Sequence, residues 1–390
     1  MLYVYGDAKH TGGGIMQQSR RGTKYEELAG RIREDIVSGK LCEDRKLPPR
    51  REFQSEYGVS SITVQKAFDL LREEGFIESR GKTGTYLAPY PPHSHRVGIV
   101  YHHPRKHIRR SKFYSRILEQ AEKVAVETPY EFEQYYQVGR EGSVGQRETQ
   151  RLFGDMRDHR LGGVLIGHNV PAFPFPEWPV WKETEMPRIV VQSSPIHPEF
   201  PAIYPDMQGF YGMALDGFLD RGIRRIGVVG SARVANEAKP LLDVELNKRG
   251  LSIPAYLRLP ISPHDGTAVK NAVDMMMRLE NCPGGLLVTD DNLLDHVGAG
   301  ILAAGLRVPE DILVISDANF PVPEGSIIPA IHVGFDIHQM VMRCLKCMEQ
   351  QRLRGVFHDR TILLEPEVAE SSDTFFQEDG SYETEGIYSD

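Results

Sequence analysis

The stretch that decides the amino-terminal fold is GVSSITVQKAFDLLREEGFI, residues 58–77 of the 390-residue chain. An apolar residue recurs in it at i, i+3, i+4 and i+7, the spacing of a helix with one buried face. The residues of that face are Val64, Ala67, Phe68 and Leu71. Ser60 or Ser61 is suited to cap the start of the helix, and Gly75 to end it. The stretch therefore predicts a helix that buries one face and exposes the other.

The flanking segments supply two more helices and a hairpin. Upstream, an apolar stripe over Tyr25–Ile36 predicts a helix. The Leu47-Pro48-Pro49 run then restricts the backbone before a short helix at Arg51–Tyr57. Downstream, Phe76–Arg80 and Thr85–Ala88 have the composition of short strands around a Gly-Lys-Thr-Gly turn. Three helices followed by a hairpin is the order of a winged helix-turn-helix.

Beyond a proline-rich link, strands and helices alternate as far as residue 364. An apolar strand at Val97–Tyr101 precedes a helix at Tyr114–Val126, and the same rhythm continues through the strand Gly285–Val288. This alternation indicates parallel, doubly wound sheets. About 270 residues is more than one such sheet usually needs, so two lobes are expected. We predict an α/β fold class in which an N-terminal winged helix-turn-helix is joined to a bilobed, doubly wound parallel-sheet domain.

These patterns divide the chain into five parts. Residues 1–21 are an extension, residues 22–90 the winged head, and residues 91–95 a stiff linker. The body follows at residues 96–366, and residues 367–390 form an acidic tail. Because the extension and the tail lack apolar periodicity, both are predicted to be disordered.

Charge is distributed unevenly along the chain. The net charge is −8, which taken alone argues against nucleic-acid binding. Residues 20–90, however, carry 14 Lys and Arg against 12 Asp and Glu, whereas residues 361–390 carry nine acids and no Lys or Arg. The negative charge therefore belongs to the tail and leaves DNA binding open. No membrane span or secretory signal is visible, and four cysteines fit a reducing cytoplasm.

The exposed face of the predicted helix carries groups that can read DNA. Its polar residues are Ser60, Ser61, Thr63, Gln65 and Lys66. Gln can bond adenine through two hydrogen bonds, Ser and Thr contact bases or phosphates, and Lys neutralises phosphate. Cations suited to the DNA backbone or the minor groove precede the helix and follow it on the wing: Arg50, Arg51, Arg80 and Lys82. Each residue alone also fits a solvated surface, and it is the order of the elements that favours DNA.

This region resembles the GntR family of bacterial transcription regulators over about residues 24–88. The stretches that carry the resemblance are KLPPRREF (46–53), YGVSSITV (57–64), EGFI (74–77) and RGKTGTY (80–86). The resemblance implies that Arg51 is the family's basic residue before the helix-turn-helix, Thr63 its groove-facing threonine and Gly81 its wing glycine. The family often has Arg where this chain has Ser61 and Gln65, so the operator sequence cannot be carried over.

The body, residues 95–370, resembles the LacI/GalR type of periplasmic-binding-protein-like sensor domain. The stretches that carry this second resemblance are DRGIRRIGVVG (220–230), GLLVTDDN (285–292) and GLRVPEDI (305–312). It implies a small-molecule effector, a sugar or sugar derivative, bound between two lobes where their strands end. A GntR head on such a body is typical of sugar-responsive repressors.

The second resemblance also implies which residues bind the effector. It places the ligand-binding acid on Asp291 and an aromatic contact on Phe113 or Tyr114, and it adds Asp206 and Asn292. Because Asp290 or Asp291 is equally suited to cap the helix that follows, both roles stay open for Asp291. Phe113 and Tyr114 fit either stacking on a sugar ring or packing in the core.

Two features depart from the sensor family. Members of the sensor family usually have an Arg in the helix that follows the position of Gly230. In this chain the position of that Arg falls near Ala238, beside Lys239. The segment His102–Arg110 adds a run of Arg, Lys and His to the first ligand-facing loop, which would bind an acidic or phosphorylated ligand or simply be solvated. Trp178 and Trp181 fit either a lid or a packing cluster.

Signatures of enzymes and metal sites are absent from the sequence. Cys344 and Cys347 form a single Cys-x-x-Cys within a predicted helix, where structural cysteines are the simpler interpretation. His102, His103 and His107 have no matching ligand set elsewhere. No Gly-x-Ser-x-Gly, Walker or His-Glu-x-x-His motif occurs, and the body is short for an aminotransferase-like domain with pyridoxal phosphate. We expect no enzymatic activity, no cofactor and no metal.

The sequence as a whole predicts a cytoplasmic, ligand-responsive transcription regulator, acting as a repressor. We expect it to bind a palindromic operator in double-stranded DNA as a homodimer and to have no membrane contact. A ligand-independent regulator whose body only dimerises is the alternative. A transporter's solute-binding protein would share the body but would carry a signal peptide and no DNA-binding head.

Overall fold

The computed structural model describes residues 23–41, 45–167, 186–191, 201–230, 239–262, 264–321, 326–354 and 361–369. The chain divides into two compact units between Pro92 and His93. Among the described residues, none of the helices combines the length and the hydropathy of a membrane span. The five-part division remains a prediction, since the extension and most of the tail lie outside the described residues.

The first unit, the head, has three helices and a two-stranded wing. Its elements are α1 (Lys24–Val37), α2 (Arg50–Tyr57), α3 (Ser61–Glu73), β1 (Ile77–Ser79) and β2 (Thr85–Leu87). The two strands pair antiparallel, with Ile77 opposite Leu87. Gly58 ends α2 in the left-handed region, at a φ of 61°. That conformation is open to glycine without strain, which allows the tight turn into α3.

The core of the head is built on the predicted apolar face of α3. All four residues of that face are buried. They pack with residues of α1, α2 and β1, among them Leu28, Ile32, Phe53 and Ile77. Each fully buried side chain of this size contributes about 1.5–3 kcal/mol. A buried ion pair, Arg33 Nε to Glu74 Oε2 at 2.9 Å, ties α1 to the residue that ends α3.

The amino-terminal lobe of the body is a six-stranded parallel sheet. Its strands are β3 (Arg96–Val100), β4 (Glu131–Tyr135), β5 (Gly163–Gly167), β6 (Arg188–Val191), β7 (Ala202–Pro205) and β13 (Thr361–Leu364). They lie in the order β4-β3-β5-β6-β7-β13, and every pair is parallel. The central strand β5 is buried along its whole length, as expected of a strand covered on both faces.

The carboxyl-terminal lobe repeats this arrangement with one antiparallel edge. Its strands are β8 (Ile226–Gly230), β9 (Arg258–Pro260), β10 (Gly285–Val288), β11 (Leu313–Phe320), β12 (Ile331–Asp336) and β14 (Glu367–Ala369). The order is β14-β12-β11-β10-β8-β9. The edge strand β14 pairs antiparallel with β12, with Val368 opposite Val333. These two sheets and the winged head confirm the predicted fold class.

The helices of the body connect and cover the two sheets. They are α4 (Pro92–His95), α5 (Arg105–Ile108), α6 (Lys112–Glu127), α7 (Ser143–Arg157), α8 (Met207–Leu219), α9 (Lys239–Lys248), α10 (Gly266–Met277), α11 (Leu294–Ala303) and α12 (Ile337–Arg354). The chain passes between the lobes three times, after β7, after β12 and between β13 and β14. Helix α12 follows a strand of the second lobe yet packs on α6 and β6 of the first. The lobes are therefore joined by three separate crossovers.

Several short elements differ from the sequence predictions. Strands β7, β9, β12 and β14 were not predicted. β7, β9 and β14 have only three or four residues, and β7, β9 and β12 hold proline or glycine, which weaken a strand pattern. The predicted stiff linker contains a helical turn at Pro92–His95, and the basic segment contains another at Arg105–Ile108. Glu367–Ala369, predicted to be part of the disordered tail because it lacks apolar periodicity, forms β14 through its pairing with β12.

Candidate functional site

The first turn of α3 is held by a side-chain cap. Ser60 precedes the helix, and its Oγ accepts a hydrogen bond from the Thr63 backbone N–H at 3.2 Å. The hydroxyls of Ser60 and Thr63 also lie 2.9 Å apart. The cap is therefore Ser60 rather than Ser61, and Ser61 is left exposed on the first turn. This arrangement fixes the backbone of the turn that carries the predicted base-reading residues.

A chain of polar contacts runs along the solvent side of α3. The Arg50 guanidinium donates to Gln65 Oε1 and lies over the ring of Phe68 at 5.3 Å. The Gln65 amide donates to both carboxylate oxygens of Asp69, at 2.8 and 2.9 Å, and Arg72 donates to Asp69 at 2.7 Å. These donors, Gln65 first, hold the pKa of Asp69 below its ordinary value. The start of α2 and the middle of α3 are thereby coupled.

The other cations predicted to contact DNA are exposed. Arg51 lies on the first turn of α2, and Lys66 lies on α3 with its ammonium 5.7 Å from the Tyr25 ring centre. On the wing, Arg80 lies 4.6 Å from the ring of Tyr86 and forms an ion pair with Glu78 at 2.6 Å. Such an exposed pair contributes little to stability, so Arg80 can be released to a phosphate at low cost.

The wing tip is a single helical turn over residues 81–83. Gly81 has a left-handed φ of 55°, and Lys82 next to it is exposed. The structure therefore places each of the predicted head residues on the surface or at a cap. Whether each one contacts DNA stays a prediction.

One exposed apolar residue on the polar face of α3 was not among the predicted DNA-binding residues. Ile62, the second residue of α3, has 68% of its surface exposed. It lies between Ser61 and Thr63 on the turn that carries the predicted base-reading side chains. The sequence could have shown this, because Ile62 lies outside the i, i+3, i+4 stripe that forms the buried face of the helix. An apolar residue outside that stripe is not part of the core.

In the body, the adjacent carboxylates after β10 have different roles. The Asp290 side chain caps the turn Asp291–Leu293, accepting from the Asn292 backbone N–H at 3.1 Å and from its amide at 2.7 Å. Asp291 is 9% exposed, and its Oδ2 accepts from the Asn319 amide at 2.8 Å. The capping role left open for Asp291 is therefore taken by Asp290.

A second buried carboxylate lies near Asp291. Burial raises the pKa of Asp291 to about 6, although the bond from Asn319 opposes the shift. Burial, and next the charge of Asp291, raise the pKa of Asp317 on β11 well above its ordinary value. Among the described residues, no hydrogen-bond donor reaches the buried Oδ1 of Asp317. These two carboxyl groups offer more hydrogen-bond acceptors than the described residues have donors to fill. They therefore suit a ligand that brings hydrogen-bond donors.

Contacts between the lobes meet at the same place. The backbone N–H of Lys112, at the start of α6, donates to Asn292 Oδ1 at 3.0 Å. The Lys112 ammonium donates to the Asp291 carbonyl at 2.8 Å. Asn292, predicted to bind the effector, therefore joins the two lobes. These bonds connect residues about 180 positions apart along the chain.

Aromatic rings line the first lobe where β3 and β4 end. Tyr101, directly after β3, stacks on Tyr136, directly after β4, with ring centres 5.8 Å apart. Its edge meets Tyr114 at 5.8 Å, and Tyr114 meets Phe113 at 5.2 Å. In the described structure the buried Tyr101 hydroxyl has no hydrogen-bond partner. A Cβ on Gly167 would lie 2.4 Å from this ring, so the approach requires glycine.

These rings bear on two alternatives left open by the sequence. Phe113 and Tyr114 are both partly buried and both pack against the core, so core packing is observed for each. Stacking on a ligand stays a prediction for them. Tyr101 and Tyr136 were not selected from the sequence, although both directly follow a strand, the position where ligands bind in open α/β sheets.

Asp206 and the basic segment contribute less to this cluster. Asp206 caps α8, its Oδ1 accepting from the Gly209 backbone N–H at 3.0 Å, and its effector role stays a prediction. In the basic segment Ile108 is buried, while Arg105, Lys106, His107, Arg109 and Arg110 are exposed. Trp178, Trp181 and Ala238 lie outside the described residues, as does the side chain of Lys239.

The described residues also bear on the metal and cysteine motifs. Within the described ranges, no three His, Cys, Asp or Glu side chains are grouped as a metal site. Cys344 is buried in α12, and this burial raises the pKa of its thiol. A thiol with a raised pKa forms little thiolate and is poorly reactive.

Comparison with known proteins identifies both units. Residues 24–87 match the bacterial regulatory proteins of the gntR family, and residues 215–368 match the periplasmic binding protein-like domain. The chain therefore combines a gntR-type domain in its head with a periplasmic-binding-protein-like domain in its body.

Its relatives among characterised proteins fall into two groups. A probable rhizopine catabolism regulatory protein of Rhizobium meliloti is 40% identical over 68 residues, which span 17% of this chain but 14% of that protein. A mannosyl-D-glycerate transport/metabolism system repressor of Escherichia coli is 41% identical over 63 residues, or 26% of its length. This chain therefore spans about a seventh and about a quarter of the length of these two relatives. An arabinose metabolism transcriptional repressor of Halalkalibacterium halodurans is 21% identical over 89% of this chain and 95% of its own.

Solved structures agree with the fold of this chain. A transcriptional regulator in complex with cellobiose aligns with 90% of this chain and 99% of its own, with a TM-score of 0.54 at 16% identity. A LacI family regulator from Lactobacillus casei with bound glucose aligns with 71% of this chain and 98% of its own, with a TM-score of 0.52 at 15% identity. At such identities the likeness shows the fold alone.

Proposed function

We propose that this protein is a DNA-binding transcriptional regulator, a cytoplasmic homodimeric repressor. Its affinity for a palindromic operator is controlled by a sugar or sugar derivative bound between the lobes of its body. The observation that carries the proposal is the cluster of buried carboxylates, Asp291 and Asp317, beside the contact of Lys112 with Asn292. Support from outside the chain comes from the arabinose repressor and from the neighbours solved with cellobiose and glucose.

The region where the lobes meet, formed by Lys112, Asp291, Asn292 and Asp317, is called the cleft below. Its chemistry suits a polyhydroxylated ligand. Sugar hydroxyls donate hydrogen bonds, which the Asp291 and Asp317 carboxyl groups can accept. The apolar faces of a sugar ring pack well on aromatic rings, and the partly exposed Tyr136, which stacks on the buried Tyr101, presents such a ring at the end of a strand of the first lobe. A ligand that satisfies the Asp317 oxygen removes the cost of a buried acceptor without a partner.

Control of DNA binding follows from the contacts between the lobes. A ligand between the lobes favours the conformation in which both contact it, and so shifts the population of closed and open bodies. Since the lobes are joined by three crossovers, closure changes their mutual angle rather than separating them. In a homodimer that change alters the spacing of the two heads, and the spacing must match that of the two half-sites.

On the DNA side, α3 enters the major groove with its first turns. In this proposal Thr63 and Gln65 contact base edges, and Arg51 positions the helix on the backbone. Phosphates are contacted by the surrounding cations and hydroxyls: Arg50, Ser60, Ser61, Lys66, Arg80 and Lys82. Base reading by Gln65 requires its amide to exchange Asp69 and Arg50 for a base, which the exposed position of this polar chain allows.

Operator binding is tested by selecting a site from random duplexes and measuring its affinity by fluorescence anisotropy. Thr63→Ala, Gln65→Ala and Arg51→Ala should each lose most of the preference for that site over random DNA, while their circular dichroism is unchanged. Glu34→Ala, an exposed change on α1, serves as the matched control. Full sequence preference in all three variants would refute the assignment.

Effector binding is tested by a thermal-shift screen of sugars and sugar acids. A ligand of the cleft should stabilise the wild type, and Asp291→Ala should lose that stabilisation. Asp274→Ala, which removes an acid paired with Arg278 on α10, is the matched control and should keep it. A dimer that binds none of the compounds and keeps a constant operator affinity would favour the ligand-independent alternative.

A further inference from the structure

Ile62 is an apolar side chain on the polar face of the recognition helix. With 68% of its surface exposed, it lies outside the buried stripe that begins with Val64. Single exposed hydrophobic residues are common on proteins and usually need no explanation. The location of this one, however, is the first turn of the helix that the proposed function inserts into the major groove.

The neighbours of Ile62 are already engaged. The Thr63 hydroxyl lies 2.9 Å from that of Ser60, and Gln65 bonds Asp69 and Arg50. Ile62 makes no comparable contact with the core cluster of the head, to which Val64 and Phe68 belong. A branched aliphatic side chain therefore projects from α3 at the turn where a docked duplex is nearest.

The major groove offers one apolar group to such a side chain. Each base pair displays hydrogen-bond donors and acceptors there, and thymine adds its C5-methyl group. An aliphatic side chain buried against that methyl gains the hydrophobic free energy of both surfaces. Against cytosine, the same side chain meets a bare C–H edge and an amino group that loses its water.

We propose that Ile62 contacts the C5-methyl group of a thymine in each operator half-site and selects thymine over cytosine there. This inference rests on the proposed function, since it requires α3 to lie in the major groove. Specificity at that base is then apolar in origin, whereas Gln65 and Thr63 act through hydrogen bonds. Mutation of Ile62 changes the preference at one base and leaves the phosphate contacts in place.

The test uses the full-length protein and its selected operator. Each thymine of one half-site is replaced in turn by deoxyuridine, which removes the methyl group and preserves base pairing. The wild type should lose about three- to tenfold in affinity at one of these positions, the effect expected for a buried methyl group. Ile62→Ala should bind the thymine operator more weakly by a similar factor and lose nothing further with deoxyuridine at that position.

Controls separate this inference from the proposed function. Val126→Ala removes an exposed aliphatic side chain from the body, 88% exposed in the wild type, and should show the full deoxyuridine effect. A wild type that binds its operator specifically but tolerates deoxyuridine everywhere would overturn the assignment. So would an Ile62→Ala variant that keeps the full effect. A wild type that selects no sequence would instead overturn the proposed function itself.

Discussion

The DNA-reading face of α3 and the cleft of the body differ in how the chain assembles them. The face of α3 comes from a single stretch of helix, and its functional side chains are exposed. The cleft joins Lys112 to Asp291 and Asn292 across about 180 positions, and it holds the buried side chain of Asp291 and the buried Oδ1 of Asp317. The first site is therefore governed by local helix geometry, and the second by the cost of burying charge.

This difference has an energetic consequence. Charges on an exposed helix face are screened by water and salt, so they can exchange partners when DNA arrives. Buried carboxylates cannot be left without partners cheaply, and a ligand that supplies donors is bound correspondingly well. The head should therefore respond mainly to salt, and the cleft to pH.

The head also holds a buried pair of charges, Arg33 and Glu74. Breaking this pair is expected to change stability more than any other substitution proposed below. Arg33 and Glu74 side chains are 7% and 11% exposed, so Arg33→Ala removes a guanidinium that donates two hydrogen bonds to a largely buried carboxylate. We expect a loss of about 3–5 kcal/mol in the free energy of unfolding of the head. Urea denaturation followed by circular dichroism measures it.

The double variant Arg33→Met with Glu74→Leu is the matched control for that prediction, because it removes both charges. It should recover most of the lost stability. Equal losses in the single and the double variant would show that the charges themselves are not responsible. In either variant, the thermal shift caused by an effector of the body should persist.

The sequence predicted the head more completely than the cleft, because the head's exposed face depends on local helix geometry and the cleft on contacts between distant parts of the chain. Helix periodicity was enough to place Val64 in the core and Thr63 on the surface. It did not show which of Asp290 and Asp291 caps the following turn, because both residue types cap equally well. Nor did it bring Asp317 to Asp291, since that approach depends on the order of strands in a sheet.

A second prediction concerns the pH dependence of the cleft. The pKa of Asp291 is raised from 3.8 to about 6 in the folded protein, so the folded state binds this proton more tightly than the unfolded chain. The free energy of unfolding therefore falls as pH rises from about 4 to about 6 and stays lower above it. Asp291→Asn should remove this loss, making the variant more stable than the wild type by on the order of 2 kcal/mol at pH 7.5 but not at pH 4.

Urea unfolding at pH 4, 6 and 7.5 measures this difference. Asp295→Asn, which neutralises an exposed acid on the next helix, should show no such dependence on pH. An Asp291→Asn variant that is less stable than the wild type at pH 7.5 would mean that the Asp291 carboxylate is stabilising where it lies.

The smallest expected effect lies on the exposed face of the head. Lys66→Ala and Lys82→Ala should each weaken binding to specific and random DNA alike. Each should reduce the slope of log Kd against log salt concentration by about 0.9, the contribution of one phosphate contact. Anisotropy titrations at several salt concentrations measure it. An unchanged slope in Lys66→Ala would place that cation away from the DNA, and Lys123→Ala on α6 is the control.

The most direct test of the account joins the two sites in one titration. The Kd for the selected operator is measured with and without a saturating effector from the thermal-shift screen, in the wild type and in Asp291→Ala. We expect a change of five- to about 150-fold in the wild type. We expect no change in Asp291→Ala, which should bind the operator as the free wild type does. A wild-type Kd that is the same with and without effector would contradict the account.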